Sequence, residues 1–147
     1  MYKHILVPTD GSELSDKAVL AAVKLAKSVG AKITGFVAVD DYPVSPFADY
    51  VPSGMPSPDE FRAQQEERAK GYLAILTREA QAAGVECATD FTPSLSPYKA
   101  IIQAAESKGC DLILMASHGR SGIGGLVLGS ETNKVLTHSK IPVLVYR

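Results

Sequence analysis

The chain predicts an α/β fold on an open parallel sheet, and three observations carry that expectation. Short apolar runs alternate with longer stretches whose apolar residues recur at helical spacing. Most of the runs are continuously apolar and rich in β-branched residues, as in strands covered on both faces. Glycines close the helical stretches at Gly30, Gly84 and Gly109. Alternating strands and helices give a parallel sheet with helices on it, and right-handed crossovers leave few topologies.

The elements follow in order. Residues 5–8 form the first strand, ending at Pro8, and Thr9, Asp10, Gly11 and Ser12 supply turn and cap chemistry. Ala18, Ala22, Leu25, Ala26 and Val29 trace one face of the first helix. The second strand spans 33–39, and Asp40 and Asp41 end it. Residues 42–58 carry Pro43, Pro46, Pro52, Pro56 and Pro58, which suit neither a helix interior nor a central strand. This long loop also carries Tyr42, Phe47, Tyr50 and Met55, and is read as a flap beside a site. A long helix begins near Asp59 with Ala69, Leu73, Leu76, Ala80 and Ala83 buried. Residues 85–91 alternate as a strand with one less buried face. Ser96 and Pro97 start the third helix as N-cap and first residue. Residues 111–115 make the fourth strand, a helix runs from about Ser130 to His138, and 142–146 make the fifth strand. The result is one domain over 1–147, without internal repeats.

Composition narrows the function. The 147 residues carry a net charge of −1, which disfavours electrostatic binding to nucleic acid. No stretch approaches the ~20 apolar residues of a membrane span, and the N-terminal apolar run is too short for a signal peptide. Cys87 and Cys110 match no metal or redox spacing and read as reduced, half-buried thiols of a cytoplasmic protein.

The chemistry is concentrated between Ala116 and Ser130, a glycine-rich stretch joining the fourth strand to a helix. Its backbone N–H groups and the helix N-terminus suit an anion such as phosphate. The alternative is a glycine-rich turn with Ser130 as N-cap. It is not a P-loop, because no Lys follows the glycine. Nor is it a dinucleotide fingerprint: Gly122 and Gly124 begin one, but Val127 stands at the third glycine. Asp10, at the carboxyl end of the first strand, faces this stretch if strands one and four are neighbours. A carboxylate there serves a ribose hydroxyl or a metal, or else Asp10 or Ser12 merely caps the first helix.

These residues resemble the universal stress protein family, in its ATP-binding branch. The family pattern is Gly-x2-Gly-x9-Gly-(Ser/Thr), and here it reads Ala116-Ser117-His118-Gly119, nine residues, then Gly129-Ser130. Ala116 stands where the pattern has its first glycine. Pro8-Thr9-Asp10-Gly11-Ser12 after the first strand and Lys140-Ile141-Pro142-Val143-Leu144-Val145 at the end extend the likeness over the whole chain. The resemblance implies a five-stranded parallel sheet of order 3-2-1-4-5, adenine nucleotide alpha hydrolase-like, with helices on both faces. It implies ATP and Mg²⁺ as ligands. Gly119, Gly129 and Ser130 would hold the phosphates, and Asp10 the ribose or the metal. Ala38 and Val39 would meet adenine through their backbone, with Met115 and Ala116 lining the pocket and Pro8 and Thr9 at its floor. Arg120 would reach the outer phosphates or lie on the surface, and Thr132 would back up Ser130 or decorate its helix.

His118 has no acid partner or nucleophile nearby in sequence and reads as a turn residue. The expected role is a nucleotide-sensing stress or signalling module, not an efficient enzyme, because no activated nucleophile or general base is evident. A slow ATPase or nucleotidyl-transfer domain, and a structural dimer that has lost its nucleotide, are the competing readings. The last strand is short and apolar. It is expected at a sheet edge, where it would join two copies as a homodimer. The resemblance points the same way.

Overall fold

The computed structural model describes residues 1–120 and 128–147. Nine elements follow one another: β1 (His4–Pro8), α1 (Glu13–Val29), β2 (Lys32–Val39), α2 (Pro58–Ala83), β3 (Cys87–Pro93), α3 (Pro97–Ser107), β4 (Leu112–Ala116), α4 (Ser130–His138) and β5 (Val143–Tyr146). All strand pairs are parallel, and the strand order is β3-β2-β1-β4-β5. The predicted sheet is therefore the observed one. Winding runs outward from β1 in both directions, so the switch point lies between β1 and β4.

Strand alternation sorts the core into two layers. Ile5, Val7, Ile33 and Val37 face α1 and α2, where Ala18, Ala22, Leu73 and Leu76 meet them. Leu6, Phe36, Ile113 and Met115 face the other way, against Ile101, Ala105 and Val135 of α3 and α4. At Gly35 the α2 layer comes so close that a Cβ would run into the Leu73 and Leu76 methyls. β1 and β4 are buried at every position. The edge strand β3 is only partly buried, as its alternation predicts.

Helix ends follow their chemistry. Ser12 caps α1 by accepting the Ser15 N–H at 3.2 Å. α2 starts at Pro58, a residue before the expected Asp59, because Ser57 and Glu60 close a capping box. Ser96 is the N-cap of α3 and Pro97 opens it, as expected, but the Ser96 side chain makes no cap bond; Glu131 of α4 accepts the Tyr98 N–H at 2.8 Å. The reading of Ser130 as an N-cap is corrected: Ser130 is the first residue of α4, and Gly129 is its N-cap without a side-chain bond.

Residues 42–57 contain no helix or strand. Tyr42 secures the base of this loop: its hydroxyl donates to the Pro56 carbonyl at 2.9 Å, and its ring meets Phe61 edge-on. Phe47 and Tyr50 are exposed at the tip. Cys110 is buried rather than half-buried, and burial pushes its thiol up to about 11, so it stays protonated at neutral pH. No helix among the described residues is long and apolar enough to cross a membrane.

Candidate functional site

The carboxyl ends of β1 and β4 bring two loops together. The chain leaves β1 through Thr9, whose hydroxyl accepts the Gly11 N–H at 3.2 Å. Asp10 follows and joins the loops. Its Oδ1 accepts the Ser12 N–H at 3.0 Å and the Ser15 hydroxyl at 2.8 Å. Its Oδ2 accepts the Arg120 N–H at 2.9 Å, across 110 residues of sequence. Burial pushes the carboxyl up, but the donors from Ser12, Ser15 and Arg120 outweigh it and hold Asp10 below the ordinary carboxylate range. Asp10 is therefore ionised at neutral pH.

Gly119 gives this contact its space. A Cβ there would fall on Asp10 Oδ2. At the far end of the stretch, the Gly129 N–H donates to the Ser117 carbonyl at 2.7 Å, and a Gly129 Cβ would sit 3.0 Å from His118 Cα. Gly129 is thereby held against Ser117 and His118. Gly122, Gly124 and Gly125 lie outside the described residues.

The other predicted positions separate into those facing the crevice and those that build it. Ser130 is exposed at the start of α4; the early N–H groups of a helix have no intrahelical acceptor, so the helix start can accept an anion. Thr132 points elsewhere: it is buried, and its hydroxyl donates to the Ala116 carbonyl at 2.9 Å, fixing α4 to the end of β4. Pro8, Thr9, Met115 and Ala116 are buried beneath the crevice.

Ala38 and Val39 differ by register. Lys32 and Phe36 bond toward β1, while Ile33 and Val39 bond toward β3, where the Val39 carbonyl accepts the Ser94 N–H at 3.0 Å. By the same alternation Ala38 faces β1. That ladder ends with Thr9 N–H on the Phe36 carbonyl at 2.9 Å, since β1 turns away at Asp10. Ala38 thus presents an N–H and a carbonyl to the crevice with no backbone partner among the described residues. This donor–acceptor pair matches the edge of a purine.

Sequence reasoning missed Tyr72 and Arg68 of α2. The Tyr72 ring lies over Gly11, whose φ of +74° and lack of a Cβ both suit glycine there. The Arg120 guanidinium stands 4.6 Å from the Tyr72 ring centroid. Arg68 Nε donates to the Tyr72 hydroxyl at 2.8 Å, and Arg68 also pairs with Asp40 at 3.1 Å. The i, i+4 spacing of Arg68 and Tyr72 was legible, but not that it faces the loop after β4.

Magnesium fits these residues poorly. Both Asp10 oxygens already accept hydrogen bonds, and no group of three or more His, Cys, Asp or Glu that could hold a metal occurs among the described residues. Oδ2 accepts a single bond and keeps acceptor capacity for one further donor, such as a hydroxyl.

A family model, the universal stress protein family, matches residues 1–147. The chain belongs to the universal stress protein family. Universal stress protein MJ0531 of Methanocaldococcus jannaschii is 32% identical over 150 residues, covering 100% of this chain and 83% of that protein. Universal stress protein UspA of Lactobacillus plantarum superposes with a TM-score of 0.82 at 26% identity, covering 99% of this chain and 98% of that one. A universal stress protein solved in complex with cAMP has a TM-score of 0.73 at 24% identity, covering 99% and 97% of the two chains.

Proposed function

We propose that this universal stress protein binds ATP in the crevice between β1 and β4 and acts as a nucleotide-responsive module. The observation that carries the reading is the pairing of Asp10 with the glycine loop, opposite the free backbone edge of Ala38. Adenine would lie against Ala38, between Pro8 and Met115. The ribose would meet Asp10, and the phosphates the N–H groups of Gly119 and the α4 start. A universal stress protein of the same fold solved in complex with cAMP supports an adenine nucleotide as the ligand class. Any cation accompanying ATP would be carried chiefly by the phosphates, because no group of three or more metal-ligating side chains occurs among the described residues.

Calorimetric titration of the whole chain tests this. The wild-type protein is expected to bind ATP, and Gly129→Val to bind it at least about tenfold more weakly. The valine acts indirectly: its side chain forces His118 and the start of α4 apart. Unchanged affinity in that variant would remove the phosphates from this loop.

Among the described residues β5 is an outer strand paired only with β4, and Leu144 on it is 39% exposed. We infer that a second copy covers this edge by antiparallel pairing of the two β5 strands about a two-fold axis. The wild-type chain is expected to sediment as a dimer at micromolar concentration, and Leu144→Lys as a monomer. A monomeric wild-type protein would rule the pairing out.

A further inference from the structure

The carboxyl edge places Asp40, Arg68 and Tyr72, which the nucleotide pattern leaves unused, against Arg120. Asp40, Arg68, Tyr72 and Arg120 form a continuous belt from the end of β2, over the turn at Gly11, to the loop after β4. α2 supplies its middle. The belt gathers two guanidinium groups around one tyrosine, Arg120 at 4.6 Å and Arg68 at 5.6 Å from the ring centroid.

The two cations are held by different contacts. Arg68 is anchored by the Tyr72 hydroxyl and by Asp40. Arg120 rests on the electron-rich face of the ring. Its guanidinium makes no ion pair among the described residues. Asp10 binds the Arg120 backbone N–H rather than its guanidinium. Among the described residues the Arg120 side chain makes no hydrogen bond or ion pair, so its donors can meet an anion.

We propose that Arg68 and Arg120, positioned by Tyr72, read the length of the phosphate chain and favour a nucleoside triphosphate over a monophosphate. The inference rests on the nucleotide reading above. A single phosphate is taken up by the backbone N–H groups at Gly119 and the start of α4. The guanidinium groups stand apart from that point, on the α2 side of Asp10, so only a longer chain reaches them. Arg120 and Arg68 contact the outer phosphates, whereas Tyr72 is a positioning residue. Its ring holds Arg120 and its hydroxyl holds Arg68.

The test is calorimetric titration of ATP and AMP into the wild type, Arg120→Gln, Arg68→Gln, Tyr72→Phe and Tyr72→Leu, each first checked for an intact thermal transition. Arg120→Gln is expected to weaken ATP about tenfold, the scale of one lost charge-assisted bond, with AMP changed less than about twofold. Arg68→Gln and Tyr72→Phe, which keep the Arg120 stack, should lose less ATP affinity than Arg120→Gln. Tyr72→Leu should lose as much or more. Equal weakening of ATP and AMP would overturn the proposal while leaving the nucleotide site standing, as would an unchanged ATP affinity in Arg120→Gln. A wild-type protein that binds neither nucleotide would overturn both readings.

Discussion

Gly119→Ala is expected to lower ATP affinity by at least about 100-fold and to destabilise the chain by about 1–3 kcal/mol, the range for forced overpacking. The added methyl falls on Asp10 Oδ2. Relief requires either the Asp10 carboxylate to swing away or the loop after β4 to retreat, and both break the Arg120 N–H bond to Asp10. Either movement also displaces the proposed ribose acceptor from the phosphate loop. Calorimetry reads the affinity and urea unfolding reads the stability. The double variant Asp10→Ala with Gly119→Ala separates the causes. Removing the carboxylate makes room for the methyl, so Gly119→Ala should cost less stability in an Asp10→Ala background than in the wild type, while ATP affinity does not recover. An equal cost in both backgrounds would show that the clash with Asp10 is not its origin.

Phe36→Ala is expected to give the largest loss of stability, about 3–5 kcal/mol, the range for a buried aromatic truncated to alanine. Phe36 is 0% exposed in the middle of β2. It packs in the layer with Leu6, Ile101, Ile113 and Val135, between the sheet and α3 and α4. The cavity is bounded by strand backbone, which relaxes little. Urea unfolding should show a lower midpoint with an unchanged slope, since the same surface is exposed on unfolding. A loss below about 1 kcal/mol would mean that α3 and α4 collapse into the space.

Much of the fold was legible because its signals are local. Continuous apolar runs identified β1 and β4, and both are buried at every position. Helical spacing identified the inner face of α2: Ala69, Leu73, Leu76 and Ala80 are its core residues. Boundaries shifted where a side chain outside the periodic pattern decided them. The Ser57–Glu60 capping box moved the start of α2, and β3 runs Cys87–Pro93 rather than 85–91 because its bounds follow pairing with β2. The α3 start was legible in Ser96 and Pro97, but its side-chain acceptor was not: that comes from Glu131, 33 residues away from the Tyr98 N–H it serves.

By itself, the sequence determined the alternation of strands and helices, the two-sided burial of the central strands, and the family pattern from Ala116 to Ser130. These depend on the period and chemistry of neighbouring residues. The tertiary structure decided what faces what across the switch point. It joined Asp10 to the Arg120 backbone, made Thr132 a fixing residue of α4, and separated Ala38 from Val39 by the side on which each bonds. It also placed Tyr72 over Gly11 and beneath Arg120. Periodicity states which face of an element is buried. Partners far apart along the chain are set by strand order, register and the packing of helices on the sheet, and those exist only once the chain has folded.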